Sequence, residues 1–84
     1  MPLSNDVLDE IRVLTQFNPA SALEGIKVHH TADASTIAAT QRLFDKDLIT
    51  LPDGGYLTNS GVEVIHHLDS LITVLQCKKE AVAG

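Results

Sequence analysis

Residues 43–61 read Leu43-Phe44-Asp45-Lys46-Asp47-Leu48-Ile49-Thr50-Leu51-Pro52-Asp53-Gly54-Gly55-Tyr56-Leu57-Thr58-Asn59-Ser60-Gly61 and predict a hairpin between two helices. Residues 48–51 are apolar and partly β-branched, which favours a strand. Proline presets the first corner of a turn, aspartate suits the second and glycine accepts a positive φ, so residues 52–54 predict a tight turn. Residues 56–58 predict the returning strand. Thr58 is suited to cap the next helix, and Gly61 is expected to let that helix pack closely under the hairpin.

Four helices are predicted around this hairpin. The first covers residues 5–16, with Ser4 or Asn5 as its cap. The second covers residues 19–26, because Asn18 is a good N-cap and Pro19 suits the first helical position. The third covers residues 33–46, and the fourth begins after Thr58 and reaches residue 76. Their spacing predicts these core side chains: Val7, Leu8, Ile11, Leu14, Phe17, Ala22, Leu23, Ile26, Ile37, Leu43 and Phe44.

Residues 43–49 and 57–61 resemble the L-x-x-K-G-L-I … L-T-x-x-G signature of winged-helix regulators of the MarR and PadR type. The resemblance covers residues 19–75. It implies an α+β fold that is mostly α, a winged helix-turn-helix of order α-α-α-β-β-α with a minimal two-stranded wing. Asp47 stands where these regulators usually have glycine, and aspartate tolerates left-handed geometry better than most residues do. Along its full length the chain also resembles a family of short, uncharacterised gammaproteobacterial proteins, through residues 24–29, 42–46 and 53–58.

Length and composition predict one globular domain. The 84 residues are 44% apolar, and they predict a domain over residues 1–77 followed by a flexible tail over residues 78–84. The apolar stretches are too short to span a bilayer. The first residues show no signal-peptide pattern and the chain has a single cysteine, so we expect a cytoplasmic protein. The net charge of −5 lacks the basic footprint that nucleic-acid modules usually carry.

The resemblance to regulators implies that the third helix is a recognition helix. Its polar side chains are candidates for contacts with phosphates or base edges, since glutamine pairs well with adenine and arginine with guanine. Lysines and arginines, including Arg12, would anchor phosphates; the alternative is that this is an ordinary solvated helix face. The predicted DNA-binding residues are Ser35, Thr36, Thr40, Gln41, Arg42, Lys46 and Lys27.

The fourth helix carries an apolar stripe that predicts a homodimer. Ile65, Leu68, Ile72 and Leu75 follow the 3-4-3 spacing of a coiled-coil seam, and further apolar residues widen it. One side of this helix is needed for the core, and the other is too apolar to face water in a monomer. The alternative is a single broad core face covered by the first helix.

No arrangement of residues predicts catalysis, a cofactor or a metal site. The pairs His29-His30 and His66-His67 lack the i, i+4 spacing of a helical zinc site. Cys77 has two lysines beside it but is most simply an incidental thiol. The first hypothesis is therefore a small DNA-binding protein of the transcriptional-regulator type, which binds double-stranded DNA weakly or with a partner. The alternative is an acidic winged-helix module that binds another protein and not DNA.

Overall fold

The computed structural model describes residues 3–20 and 24–76, which form three helices and one small sheet. The predicted tail lies outside the described residues. No described helix combines the length and apolarity needed to cross a membrane. In chain order, the elements are α1 (Asn5–Leu14), β1 (Ile26–Lys27), α2 (Ala34–Asp45), β2 (Ile49–Leu51), β3 (Gly54–Leu57) and α3 (Asn59–Gln76).

The hairpin predicted from residues 48–58 is confirmed. Strands β2 and β3 pair antiparallel, with Ile49 opposite Leu57 and Leu51 opposite Gly54. Gly54 has φ of 131° at the end of the Pro52-Asp53 turn, a backbone geometry that glycine adopts without steric cost. The hairpin is therefore fixed by the chemistry of its own turn.

Thr58 and Gly61 fix the start of α3 against the hairpin, as the sequence predicts. The Thr58 hydroxyl accepts a hydrogen bond from the Gly61 amide at 3.0 Å and donates one to the Asp47 carbonyl at 2.7 Å. A Cβ atom placed on Gly61 would lie 2.0 Å from the Leu48 carbonyl oxygen. The first turn of α3 can approach the hairpin this closely only because residue 61 has no side chain.

The predicted second helix is wrong along all of its described residues, since residues 19 and 20 form a turn, residues 24 and 25 have no regular structure and residue 26 begins a strand. The described elements therefore follow the order α-β-α-β-β-α and not the predicted α-α-α-β-β-α. Residues 21–23 lie outside the described residues, but Ile26 and Lys27 form a strand that pairs with Gly55 and Gly54 of β3. The sheet therefore has three strands in the order β1-β3-β2, where two were expected. Gly25 serves this pairing, since a Cβ there would lie 2.6 Å from the Gly55 carbonyl oxygen. The free edge of β3 offers backbone partners that a helix at residue 26 would leave unpaired.

The helices present partly different faces to the core than their spacing predicts. In α1, Glu10 and Val13 are buried with Leu14, whereas Val7 is 37% exposed. In α2, Ile37 and Phe44 are each 37% exposed, although both were predicted to be buried. The buried apolar cluster consists of Val13, Leu14, Phe17, Ala39, Leu43, Ile49, Leu57 and Ile65.

Asp47 occupies the left-handed region of the backbone with φ of 63°. Replacing Asp47 with glycine is expected to raise the free energy of unfolding by about 0.5 kcal/mol, because relief of backbone strain outweighs the greater freedom of the unfolded chain. The Thr58 hydroxyl donates its hydrogen bond to the backbone carbonyl of Asp47, so the glycine variant keeps this bond. Urea denaturation measures the change. A loss of stability on Asp47→Gly would contradict this account of the turn.

Candidate functional site

The best-connected polar cluster joins α1 to α2 around Glu10. One Glu10 carboxylate oxygen accepts a hydrogen bond from Arg42 Nε at 2.7 Å, and the other accepts one from Lys46 Nζ. The Arg42 guanidinium also donates to the Asp6 carbonyl at 3.1 Å. The Glu10 side chain is 9% exposed, while those of Arg42 and Lys46 are 30% and 53% exposed. One nearly buried carboxylate is therefore held by two cations, Arg42 in the last turn of α2 and Lys46 at its C-cap.

Opposing effects act on the pKa of Glu10. Burial raises the pKa, but the hydrogen bonds from Lys46 and Arg42, together with their positive charges, outweigh burial and lower it below its ordinary value. The same contact raises the pKa of Arg42. Glu10 is therefore a carboxylate near neutral pH, and the cluster formed by Asp6, Glu10, Arg42 and Lys46 has no net charge.

The predicted DNA-binding residues do not share one exposed face. Arg42 and Lys46 lie on the flank of α2 that faces α1, whereas Gln41 lies on the other flank. Thr40 is fully buried, and its hydroxyl donates to the Thr36 carbonyl at 2.8 Å. A fully buried side chain cannot reach a base edge, so Thr40 does not belong to a contact face. Ser35 is exposed.

A cleft of about 410 Å³ separates α2 from the hairpin turn. The residues that line it are Lys27, Val28, His29, His30, Ile37, Thr40, Gln41, Pro52 and Asp53. Lys27 Nζ lies 3.2 Å from a carboxylate oxygen of Asp53 in the turn, so Asp53 neutralises the charge of Lys27 at the rim of the cleft. The cleft thus combines an apolar floor with imidazole and amide groups and carries no excess of lysine or arginine over carboxylate.

Every lysine and arginine in the described ranges forms an ion pair. Arg12 lies 3.1 Å from Asp9, Lys27 pairs with Asp53, and Arg42 and Lys46 share Glu10. The pairs of Arg12 and Lys27 are exposed, so each contributes little to stability. Each of these cations nevertheless lies beside a carboxylate, so the described surface has no patch in which positive charge accumulates.

The second candidate surface is the outward side of α3. Apolar side chains there are open to solvent, with exposed fractions of 36% for Val64, 54% for Leu71, 70% for Val74 and 73% for Leu75. The predicted dimer residues separate in the structure. Leu75 belongs to this surface, but Ile65 is 3% exposed and lies in the core, so it is removed from the predicted interface.

A groove of about 380 Å³ runs between α3 and the segment that follows α1. Leu68 and Ile72, the other two predicted dimer residues, line this groove and are half-buried. Phe17 and Pro19 form its opposite wall. The exposed apolar surface of α3 therefore continues into a shallow apolar groove.

Sequence reasoning missed Glu10, which organises the cluster between α1 and α2. One signal was present, because Glu10 precedes Val13 by three residues and Leu14 by four, which places it on the buried face of α1. The histidine pairs do not join a metal site: within residues 3–20 and 24–76, no three His, Cys, Asp or Glu residues gather closely enough to hold an ion. Cys77 lies outside those ranges.

Comparison with known proteins gives a family without an assigned role. No curated protein and no solved structure matches the chain. A family profile does match, over residues 1–76 and so over most of the sequence. The chain belongs to DUF5669, a family of unknown function.

Proposed function

We propose that this chain is an acidic protein-interaction module of the winged-helix type, which binds through α3 and does not bind duplex DNA. The observation that carries the proposal is the solvent exposure of Leu71, Val74 and Leu75 along one helix. Contiguous exposed apolar side chains on a small soluble domain usually mark a contact surface. The order of α2, the hairpin and α3 supports the winged-helix assignment, as does the pairing of Ile49 with Leu57.

Charge supports the exclusion of DNA. Affinity for duplex DNA comes largely from cations that neutralise phosphates and release counterions. The four described cations are each paired with a carboxylate, and the chain as a whole carries a charge of −5. Glu10 already neutralises part of the charge of Arg42 and Lys46, so a phosphate would gain less from these cations than from unpaired ones.

A mobility-shift assay with duplex DNA tests the exclusion. We expect no shift of a duplex of about 30 base pairs at low salt, on the order of 20 mM NaCl, with tens of micromolar protein, because low salt favours any phosphate contact. The control is a small basic DNA-binding domain assayed under the same conditions. A shift that weakens steeply as NaCl is added would overturn the proposal.

Binding to double-stranded DNA, as in a transcriptional regulator, is the second candidate, and the cleft beside α2 is the observation that favours it. Gln41, His29 and His30 line this cleft between a helix and a hairpin turn, where a base edge or phosphate has access. The salt-dependent shift just described is the result that this candidate requires.

A further inference from the structure

The outward side of α3 carries an apolar stripe whose residue spacing reads the same from either end of the helix. Val64, Leu68, Leu71 and Leu75 are separated by four, three and four residues. At 3.6 residues per turn they fall within about 60° of the helix circumference. Three of them are exposed to solvent, and Leu68 is half-buried at the border of the groove. No charged residue interrupts this stripe.

We propose that a second copy of the chain docks on this stripe, so that two α3 helices pack antiparallel about a twofold axis level with residues 69 and 70. The inference rests on the proposed function and names the partner. In this register, Leu68 lies opposite the partner's Leu71, and Val64 lies opposite the partner's Leu75. A surface that matches itself in this way suits a twofold interface, in which the same patch serves both copies.

The distribution of charge favours the antiparallel orientation. Eight acidic and four basic residues precede α3 in the sequence. The buried residues of α3, Gly61 and Ile65, both lie in its first half, where it packs most closely on the folded body. With the twofold axis level with residues 69 and 70, an antiparallel pair places the attachment points of the two acidic bodies about 20 Å apart along the helices, which exceeds the screening length of about 8 Å at physiological salt. A parallel pair would place both bodies at the same end.

The size of the exposed surface fits a dimer of modest affinity. The stripe with Val74 and the adjoining groove is expected to bury on the order of 400 Å² per copy, against about 800 Å² in an interface of standard size. We therefore expect a dissociation constant in the micromolar range, with exchange between monomer and dimer. The groove between Pro19 and Ile72 lies beside the stripe, so side chains on the edge of the partner's helix could enter it.

Sedimentation equilibrium tests whether the second copy docks. At a concentration on the order of 100 µM, which populates dimers of micromolar affinity, the full chain is expected to approach twice its mass of 9.0 kDa. Leu71→Glu is expected to raise the dissociation constant by at least about 30-fold, since each dimer carries the charge twice at its centre. Leu71 is exposed, so circular dichroism is expected to show an unchanged fold.

Ser70→Glu is the matched control. It adds the same charge one residue earlier, on an exposed part of the helix that faces away from the stripe. It is expected to leave the dissociation constant within about threefold of the parent. A monomeric parent protein, or equal weakening by Ser70→Glu and Leu71→Glu, would overturn the proposal.

Disulfide trapping tests the orientation, in a Cys77→Ser background. Val64→Cys and Leu75→Cys chains, mixed under oxidising conditions, are expected to form the mixed disulfide, and neither is expected to link to itself. Self-linking of Val64→Cys would indicate parallel helices and overturn the register. The DNA assay distinguishes failure of the dimer from failure of the proposed function. If the protein is a monomer and binds no DNA, only the dimer is refuted. If it is a dimer and shifts DNA, only the proposed function is refuted.

Discussion

Replacing Gly61 with alanine is expected to lower the free energy of unfolding by about 3 kcal/mol. The new Cβ would lie 2.0 Å from the Leu48 carbonyl oxygen and 3.1 Å from a methyl carbon of Leu57. The carbonyl cannot easily move away, because it also accepts a hydrogen bond from the Thr58 amide at 3.1 Å. The start of α3 must therefore shift away from the hairpin, which weakens the packing of Ile65 below it.

The sign of the change in the free energy of unfolding distinguishes the steric effect from helix propensity. Alanine is a better helix former than glycine by about 1 kcal/mol, so helix propensity alone predicts that Gly61→Ala stabilises the protein. Ser60→Ala provides the control, since Ser60 is exposed in the same turn and its replacement is expected to change stability by less than about 0.5 kcal/mol. Urea denaturation of both variants measures the two effects. A more stable Gly61→Ala protein would show that α3 does not approach Leu48 this closely.

The hairpin and the start of α3 were predictable because neighbouring residues determine them. Proline, aspartate and glycine at positions 52–54 define a turn without help from the rest of the chain. Thr58 caps α3 through an amide only three residues away. In each case the physical cause lies within a few residues of its effect.

The strand β1 and the face of α2 were not predictable from local sequence, because distant partners determine them. Ile26 adopts a strand conformation because it pairs with Gly55, which lies far along the chain on the edge of β3. The polar character of Thr40 predicts an exposed side chain, yet its hydroxyl donates a hydrogen bond to the Thr36 carbonyl, which allows full burial. The predicted DNA-binding face also depends on a distant residue. Arg42 pairs with Glu10, which is 32 residues away in sequence, so local sequence does not show that Arg42 faces α1.

Replacing Glu10 with glutamine is expected to lower the free energy of unfolding by about 2 kcal/mol near neutral pH. Both carboxylate oxygens accept hydrogen bonds from cations, one from Arg42 and one from Lys46. An amide keeps the size of the carboxylate but replaces one acceptor with an NH2 donor, which then faces a positively charged donor. The loss is smaller than for a fully buried pair, because water reaches both cations.

The effect of Glu10→Gln is expected to depend on pH, in a direction that the lowered pKa of Glu10 determines. The pKa is lower in the folded protein than in the unfolded chain. The stabilisation is therefore fully present above the unfolded value of about 4.3 and is lost as the pH falls through the folded value. Parent and variant are thus expected to differ most above about pH 5 and to converge in stronger acid.

Asp9→Asn is the matched control for this prediction. Asp9 is the neighbour of Glu10 on α1 and pairs with Arg12, whose side chain is 76% exposed. An exposed pair of this kind contributes less than about 0.5 kcal/mol, because water and salt screen it. Urea titrations of the parent and both variants, repeated between about pH 3 and pH 7, measure the differences. If Glu10→Gln and Asp9→Asn cost the same at every pH, Glu10 is not what joins α1 to α2. Arg42 and Lys46 would then be free to bind an anion, and the case against DNA would lose its main support.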